Sequence, residues 1–280
     1  MKNNLIRIGT SSFSDTDWVG SFYPSGAKPD QFLTLYSEKF NTVEIDATYY
    51  AIPSKNTVDN WVRKTPENFL IAAKFPRSIV HGGTGPVPDP DVILRPERTY
   101  EQRDIFLEII SRLGTRLGPL LLQFPYFSKK VFSSPDKFIE RLDRFLSDLS
   151  PIFRYAVEIR NRHWLTKDFR DLLLRHNTAL ALVDQAWMPH GDEIEINFDP
   201  VTTDFSYIRL LGERKEIEAL TDRWDKEVID RSDRLRRWAQ LALRLKQRHI
   251  NSLIYINNHY AGHAPATARK LQNYLWEPDL

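Results

Sequence analysis

The sequence contains no cysteine and no long hydrophobic run, and each absence excludes a class of function. Without cysteine, the 280-residue chain forms no disulfide, offers no thiolate ligand to zinc or an iron–sulfur cluster, and has no thiol nucleophile. No apolar stretch reaches membrane-spanning length, and the first residues, MKNNLIRIGTSSF, lack the apolar core of a signal peptide. We therefore expect a cytoplasmic protein that does not associate with membranes.

A strong charge of one sign is also missing. The chain has 39 basic and 37 acidic residues, and a net charge of +2 gives no broad attraction to nucleic acid. Hydrophobic residues make up 41% of the chain and charged residues 27%, which is typical of a globular protein with a large core. Because neither repeats nor a Gly/Ser-rich linker appears, we predict one domain over residues 1–280.

Eight short, β-rich apolar runs alternate with segments of helical periodicity. The predicted strands are 5–10, 42–46, 69–75, 119–124, 154–160, 178–184, 205–210 and 252–257. The clearest helical segments are 30–40, 99–114, 135–149 and 165–176. Strand–helix alternation predicts a parallel sheet, and eight units in this length favour a closed (β/α)8 TIM-type barrel over an open doubly wound sheet.

Three long connections, 81–98, 125–135 and 185–203, follow predicted strands and would form the rim of the active-site end of a barrel. The charged stretch 213–248 is predicted to be mostly helical. Its basic residues alternate with acids, which favours a solvated helix face over a nucleic-acid patch.

The second predicted strand, TVEID, carries two acids where a strand flanked by helices is normally apolar. Glu44 and Asp46 lie two residues apart, so the pleat sends both to one face and sends Val43 and Ile45 to the other. We predict that the acids point into the mouth of the barrel.

Most of the other predicted strands also become polar at their C-terminal ends, where TIM barrels carry their active sites. The predicted catalytic residues are Glu44, Glu158, Asp46 and Lys74. The predicted substrate-binding residues are Thr10, Tyr49, Tyr50, Gln123, Arg160, Trp164, Asp184, Arg209, Asn257, Asn258 and Gly262. Glu44 is expected within salt-bridge reach of a basic residue, with Lys74, Arg160 and Arg209 as the candidates. A purely stabilising ion network is the alternative, although buried ion pairs often add little stability over apolar packing.

Several chemistries are compatible with these residues. The cations suit an anionic ligand, and the loop containing Gly262 precedes a helix start that could bind a phosphate. Glu44 and Glu158 could face each other as the carboxylate pair of a glycosidase. A divalent metal could use these acids and loop histidines, but no HxH or HExxH spacing appears, so we assign no metal ligand and leave the cofactor unknown.

Several motifs occur along almost the whole chain in one fixed order. They are GTSSF (9–13), TVEIDATYYAIPS (42–54), AAKFPRSIVH (72–81), AVEIRNRHW (156–164) and YINNHYAGHAPATA (255–268). In these motifs the chain resembles the DUF72, or YecE-like, family. The resemblance implies a TIM-type barrel found mainly in bacteria and archaea, with a fold comparable to xylose isomerases and apurinic endonucleases, and it implies no established activity. Members often have His before the glycine of the strand-seven motif, whereas this chain has Leu211, so no catalytic role is expected there.

The leading hypothesis is an enzyme, such as a hydrolase or isomerase, that acts on a small polar or anionic, sugar-like or phosphorylated substrate at the mouth. One alternative is a nuclease-like barrel in which Lys129 and Lys130 contact nucleic-acid phosphates. The other is a non-catalytic binding protein whose mouth the long loops block.

Overall fold

The computed structural model describes residues 5–83 and 85–276, in which eight parallel strands form a single sheet. The strands are β1 (Ile6–Thr10), β2 (Thr42–Ile45), β3 (Leu70–Lys74), β4 (Leu117–Gln123), β5 (Tyr155–Glu158), β6 (Ala179–Asp184), β7 (Phe205–Leu210) and β8 (Asn251–Ile256). Sequence neighbours are spatial neighbours from β2 to β8, and β8 also pairs with β1. The predicted (β/α)8 TIM-type barrel is confirmed, and the open-sheet alternative is wrong.

Helices follow the strands and cover the outside of the barrel. They are α1 (Phe32–Ser37), α2 (Ala47–Tyr50), α3 (Lys55–Lys64), α4 (Arg77–Val80), α5 (Pro96–Ile110), α6 (Asp136–Ser147), α7 (Lys167–Arg175), α8 (Gly191–Asn197), α9 (Arg214–Glu218), α10 (Ser232–Gln247) and α11 (Ala264–Trp276). Side-chain oxygens of Ser54 and Thr166 cap the first turns of α3 and α7. None of the helices in the described residues has the length and apolarity that a membrane crossing requires.

The strands bury two different faces. Val43 and Ile45 of β2 pack with the large core between the barrel and its helices. Inside the barrel, a separate cluster includes Ala72, Leu121 and Tyr255. Because side chains alternate along a strand, Glu44, between Val43 and Ile45, must point inward. The predicted assignment of the two faces of β2 is confirmed.

The barrel closes between β1 and β2 through a side chain. In the described residues no strand ladder joins these two strands, and the Tyr36 hydroxyl of α1 lies in the gap. It accepts a hydrogen bond from the Thr10 N–H at 2.8 Å and donates one to the Thr42 carbonyl at 3.1 Å. Gly9 permits this approach, since a Cβ there would lie 2.1 Å from the Thr42 carbonyl oxygen.

Two predicted segments differ from the structure. The stretch 213–248, predicted to be mostly helical, contains α9 and α10, but residues 219–231 between them are irregular, and their backbone groups bond to other loops. The Trp224 N–H donates to the Asp17 carboxylate at 3.0 Å, and the Val228 N–H donates to the Ala261 carbonyl at 2.7 Å. The loop 185–203 contains α8, whose start is capped by His190 together with Glu193.

The basic residues of α10 are largely paired with acids. Arg237 contacts Asp192 of α8 at 2.7 Å, and Arg244 contacts Glu195 at 2.6 Å. Such pairs attach α10 to α8 and neutralise much of the basic charge of this helix.

Candidate active site

Four charged side chains enter the barrel at the C-terminal ends of β2, β3, β5 and β7. They are Glu44, Lys74, Glu158 and Arg209, each no more than 6% exposed. Lys74, Glu158 and Arg209 each lie two residues after an inward-facing residue of the same strand, and Glu44 lies on the inward face of β2. Strand alternation alone therefore directs all four side chains into the mouth.

Arg209 is the centre of this group. Its Nε and Nη2 donate to the Glu44 carboxylate at 2.9 and 2.8 Å, and its Nη1 donates to Glu158 at 2.5 Å. The same Nη1 lies 3.0 Å from the Gln123 side-chain oxygen. One guanidinium therefore holds two carboxylates from different strands, and the expected ion pair of Glu44 with Arg209 is confirmed.

Contacts continue from this centre in both directions. Lys74 lies 3.8 Å from Glu44 and 2.6 Å from Asp46, while Arg160 lies 2.7 Å from Glu158. The result is a chain of six alternating charges, which we call the ion row. In order, its members are Asp46, Lys74, Glu44, Arg209, Glu158 and Arg160.

The two glutamates of the ion row are held in their ionised form. Burial alone would raise the pKa of Glu44, but the charges of Arg209 and Lys74 outweigh it and lower the pKa to about 2. Burial is likewise outweighed at Glu158, whose pKa is lowered by Arg209 and Arg160. Neither glutamate carries a proton near neutral pH, so neither can serve as the general acid that a glycosidase pair requires.

Asp46 behaves in the opposite way. Burial, reinforced by the charge of Glu44 and opposed by Lys74, raises its pKa to about 6. Its side chain is 31% exposed. The backbone of Asp46 is already helical, with φ −69° and ψ −28°, because β2 ends at Ile45. Asp46 therefore reaches Lys74 from the start of α2. The sequence had indicated instead that Asp46 belongs to the strand.

A cavity of about 190 Å³ lies beside Asp46, between the loops that follow β1 and β8. We call it the polar cavity, and it is also lined by Ser11, Asp15, Asn257 and His259. Burial raises the pKa of Asp15, and the Ser11 hydroxyl is buried with no hydrogen-bond partner among the described residues. Sequence reasoning missed Ser11 and Asp15, although the polar stretch SSFSD directly after β1 was a usable signal.

A larger cavity of about 720 Å³ lies at the other end of the ion row, among the loops that follow β4, β5 and β6. We call it the aromatic groove. It is lined by Tyr126, Phe127, Lys129, Phe132–Pro135, Arg160–Trp164 and Trp187. Arg160 and Trp164, both predicted substrate-binding residues, lie here. The ion row thus connects the polar cavity to the aromatic groove.

Of the two predicted tyrosines, Tyr49 lies nearer the ion row. The Lys74 Nζ atom is 6.0 Å from the centre of the Tyr49 ring. Tyr50 packs edge-on against Tyr49, with ring centres 5.3 Å apart, and is 77% exposed.

Three predicted binding residues are occupied by contacts within the protein. The Thr10 hydroxyl bonds the Tyr36 hydroxyl, and the Asn258 amide donates to Asp15 at 2.8 Å and accepts from the Ala264 N–H at 2.9 Å. Gly262 has φ 110°, and a Cβ there would lie 2.7 Å from the Lys226 carbonyl oxygen. The predicted anion site at this helix start is therefore capped by a protein side chain, and Gly262 serves close loop packing.

Asp184 does not join the ion row. Its carboxylate accepts hydrogen bonds from Arg234 and from the Trp238 indole of α10. It lies on the face of β6 that packs against this helix, so it connects strand and helix outside the barrel.

The described residues contain no group of three or more histidine, aspartate or glutamate side chains arranged to hold a metal ion. Two loop histidines have separate neighbours: His81 lies beside Arg77, and His263 lies 3.3 Å from the Ser21 hydroxyl. The carboxylates of the ion row contact lysine and arginine instead.

Comparisons with known proteins agree with this architecture. The UPF0759 protein YunF of Bacillus subtilis is 25% identical over 97% of this chain and 95% of its own length. The UPF0759 protein YecE of Escherichia coli O157:H7 is 29% identical over 68% of this chain and 64% of that protein. The crystal structure of a DUF72 family protein from Thermotoga maritima superposes with a TM-score of 0.69 at 27% identity, covering 96% of this chain and 98% of the other. The profile described as "Protein of unknown function DUF72" matches residues 7–279, so the chain belongs to the DUF72 family.

Proposed function

We propose that the protein is an enzyme that binds a small polar or anionic, sugar-like or phosphorylated substrate at the mouth of the barrel and moves a proton through Asp46. The observation that carries the proposal is the position of the Asp46 carboxyl, which is partly exposed beside the polar cavity and lies 2.6 Å from the Lys74 Nζ atom. Burial raises the pKa of this carboxyl to about 6. A group whose pKa lies near the working pH can both accept and donate a proton.

The other members of the ion row have supporting roles in this proposal. Lys74, 2.6 Å from the Asp46 carboxylate, stabilises the form that has released its proton. Glu44 and Glu158 stay ionised and hold Arg209 in one position, while Arg160 offers its charge to an anionic group of the substrate. Proton transfer of this kind belongs to the hydrolase and isomerase classes.

An open mouth favours this proposal over a non-catalytic binding protein, for which we predicted a mouth blocked by loops. Cavities of about 190 and 720 Å³ adjoin the two ends of the ion row. Both contain polar or charged side chains, as substrate sites do.

The test is a thermal-shift screen of phosphorylated and carboxylated metabolites, followed by NMR detection of turnover for each compound that stabilises the protein. We expect Asp46→Asn to keep binding and to lower turnover by about 10²- to 10⁴-fold. The control is Asp233→Asn, whose carboxylate is fully exposed on α10. Stabilisation by none of the compounds, or equal turnover by Asp46→Asn, would contradict the proposal.

A further inference from the structure

The aromatic groove differs in composition from the rest of the surface. Five of its lining residues are aromatic, three are lysine or arginine, and none is acidic. The whole chain, by contrast, has nearly equal numbers of acidic and basic residues.

The aromatic side chains form both a floor and an exposed wall. Phe127 and Phe132 are buried, and Trp164 stacks on Phe127 with ring centres 5.8 Å apart. Tyr126 and Trp187 are 61% and 47% exposed in the same cavity. Large exposed aromatic side chains that share a concave site are typical of ligand-binding surfaces, because their apolar area remains in contact with water until a ligand covers it.

Of the lysine and arginine side chains that line the groove, all but Arg160 lack an acidic partner among the described residues. Lys129 and Arg162 form no ion pair with any described residue, whereas the arginines of α10 are mostly paired. Arg160 contacts Glu158 through Nε and Nη2, and its Nη1 has no hydrogen-bond partner among the described residues. Unpaired positive charge on this side of the mouth therefore lies beside aromatic rings.

We infer that the aromatic groove binds the planar ring of an aromatic anion, so that the substrate belongs to the class of nucleoside monophosphates. The ring stacks on the aromatic wall, and the phosphate contacts Arg160 together with the neighbouring basic side chains. This inference rests on the proposed function, because Arg160 also ends the ion row. A volume of about 720 Å³ is within the usual range for sites of such ligands.

A mononucleotide fits these observations better than a nucleic-acid strand. A strand needs a continuous basic track along its backbone, and the α10 arginines Arg237 and Arg244, which could extend one, are paired with Asp192 and Glu195. The basic groups of the groove are instead grouped with Arg160, the end of the ion row that contacts the buried Glu158.

The test is calorimetric titration of the full chain with AMP, adenosine and ribose 5-phosphate. We expect AMP to bind at least about tenfold more tightly than either fragment, because only AMP offers both ring and phosphate. Trp187→Ala and Tyr126→Ala should each weaken AMP binding about tenfold and leave ribose 5-phosphate binding unchanged. The matched control is Trp276→Ala, which removes a 54% exposed tryptophan from α11 and should change neither.

Equal affinity for AMP and ribose 5-phosphate, or unchanged AMP binding in both groove variants, would overturn the inference. In that case turnover of a non-aromatic substrate that depends on Asp46 would still support the proposed function. A short oligothymidylate that binds much more tightly than AMP, with a steep salt dependence, would also overturn it in favour of a nucleic-acid track. Conversely, AMP binding that needs Trp187 but leads to no Asp46-dependent turnover would support the groove and contradict the proposed function.

Discussion

The polar cavity and the aromatic groove differ in the charge that each presents. The polar cavity contains two carboxyl groups, Asp15 and Asp46, whose pKa values are raised by burial. The aromatic groove has no acidic lining residue and carries unpaired cations. The comparison shows that one barrel mouth can keep a cavity with buried carboxyl groups apart from a groove with unpaired cations.

The ion row accounts for this separation. A chain of three acids and three bases in alternation is neutral overall, yet its two ends necessarily have opposite charges. The acidic end, Asp46, opens on the polar cavity, and the basic end, Arg160, opens on the aromatic groove. Substitutions at the centre, at the basic end and at the acidic end of the ion row should therefore affect different properties: stability, ligand binding and the pH dependence of stability.

The largest expected effect follows from breaking the row at its centre. Arg209→Met leaves the buried carboxylates of Glu44 and Glu158 without their shared cation, and we expect the free energy of unfolding to fall by about 3–5 kcal/mol. Urea denaturation measures this change.

Two controls separate this effect from a general loss of packing. Arg112→Met removes an ion pair with Asp59 that water reaches and screens, so it should change the free energy of unfolding little. Adding Glu44→Gln and Glu158→Gln to Arg209→Met should recover much of the lost stability, because few charges then remain unpaired. A fall in the free energy of unfolding below about 1 kcal/mol for Arg209→Met would show that Glu44 and Glu158 do not need Arg209 as their counterion.

A smaller effect is expected at the basic end. Arg160→Gln should weaken binding of AMP and of ribose 5-phosphate alike by about tenfold, since we place this side chain against the phosphate. Stability should fall less than in Arg209→Met, because Glu158 keeps Arg209 as a counterion at 2.5 Å. Titration calorimetry tests this, and weakened binding of AMP alone would place Arg160 against the ring instead.

The smallest effect is expected at the acidic end, where water reaches Asp46 and screens its charge. A folded-state pKa of about 6, above the ordinary value of 3.8, means that Asp46 contributes stability below about pH 4 that is lost as pH rises through 6. The stability of wild type relative to Asp46→Asn should therefore fall across this window. Urea midpoints of both proteins from pH 4 to 8 check the sign. A wild type that becomes more stable relative to Asp46→Asn as pH rises would mean that the pKa of Asp46 is lowered instead.

The sequence allowed much of the ion row to be predicted, because strand alternation leaves few choices. In TVEID, the apolar residues on either side of Glu44 establish which face is buried against helices. In ALALVD of β6, both faces are apolar and no such pattern exists, so the outward direction of Asp184 could not be obtained in this way.

By itself the sequence determined the barrel, its eight strands and the charged ends of β2, β3, β5 and β7, since these depend on local periodicity and chain order. Only the tertiary structure decided which charges meet. It brought Arg209 between two glutamates, filled the gap between β1 and β2 with Tyr36, and capped the start of α11 with Asn258. Opposite pKa shifts at Glu44 and Asp46 have the same origin: they depend on distances to cations and on burial, which residue order does not encode directly.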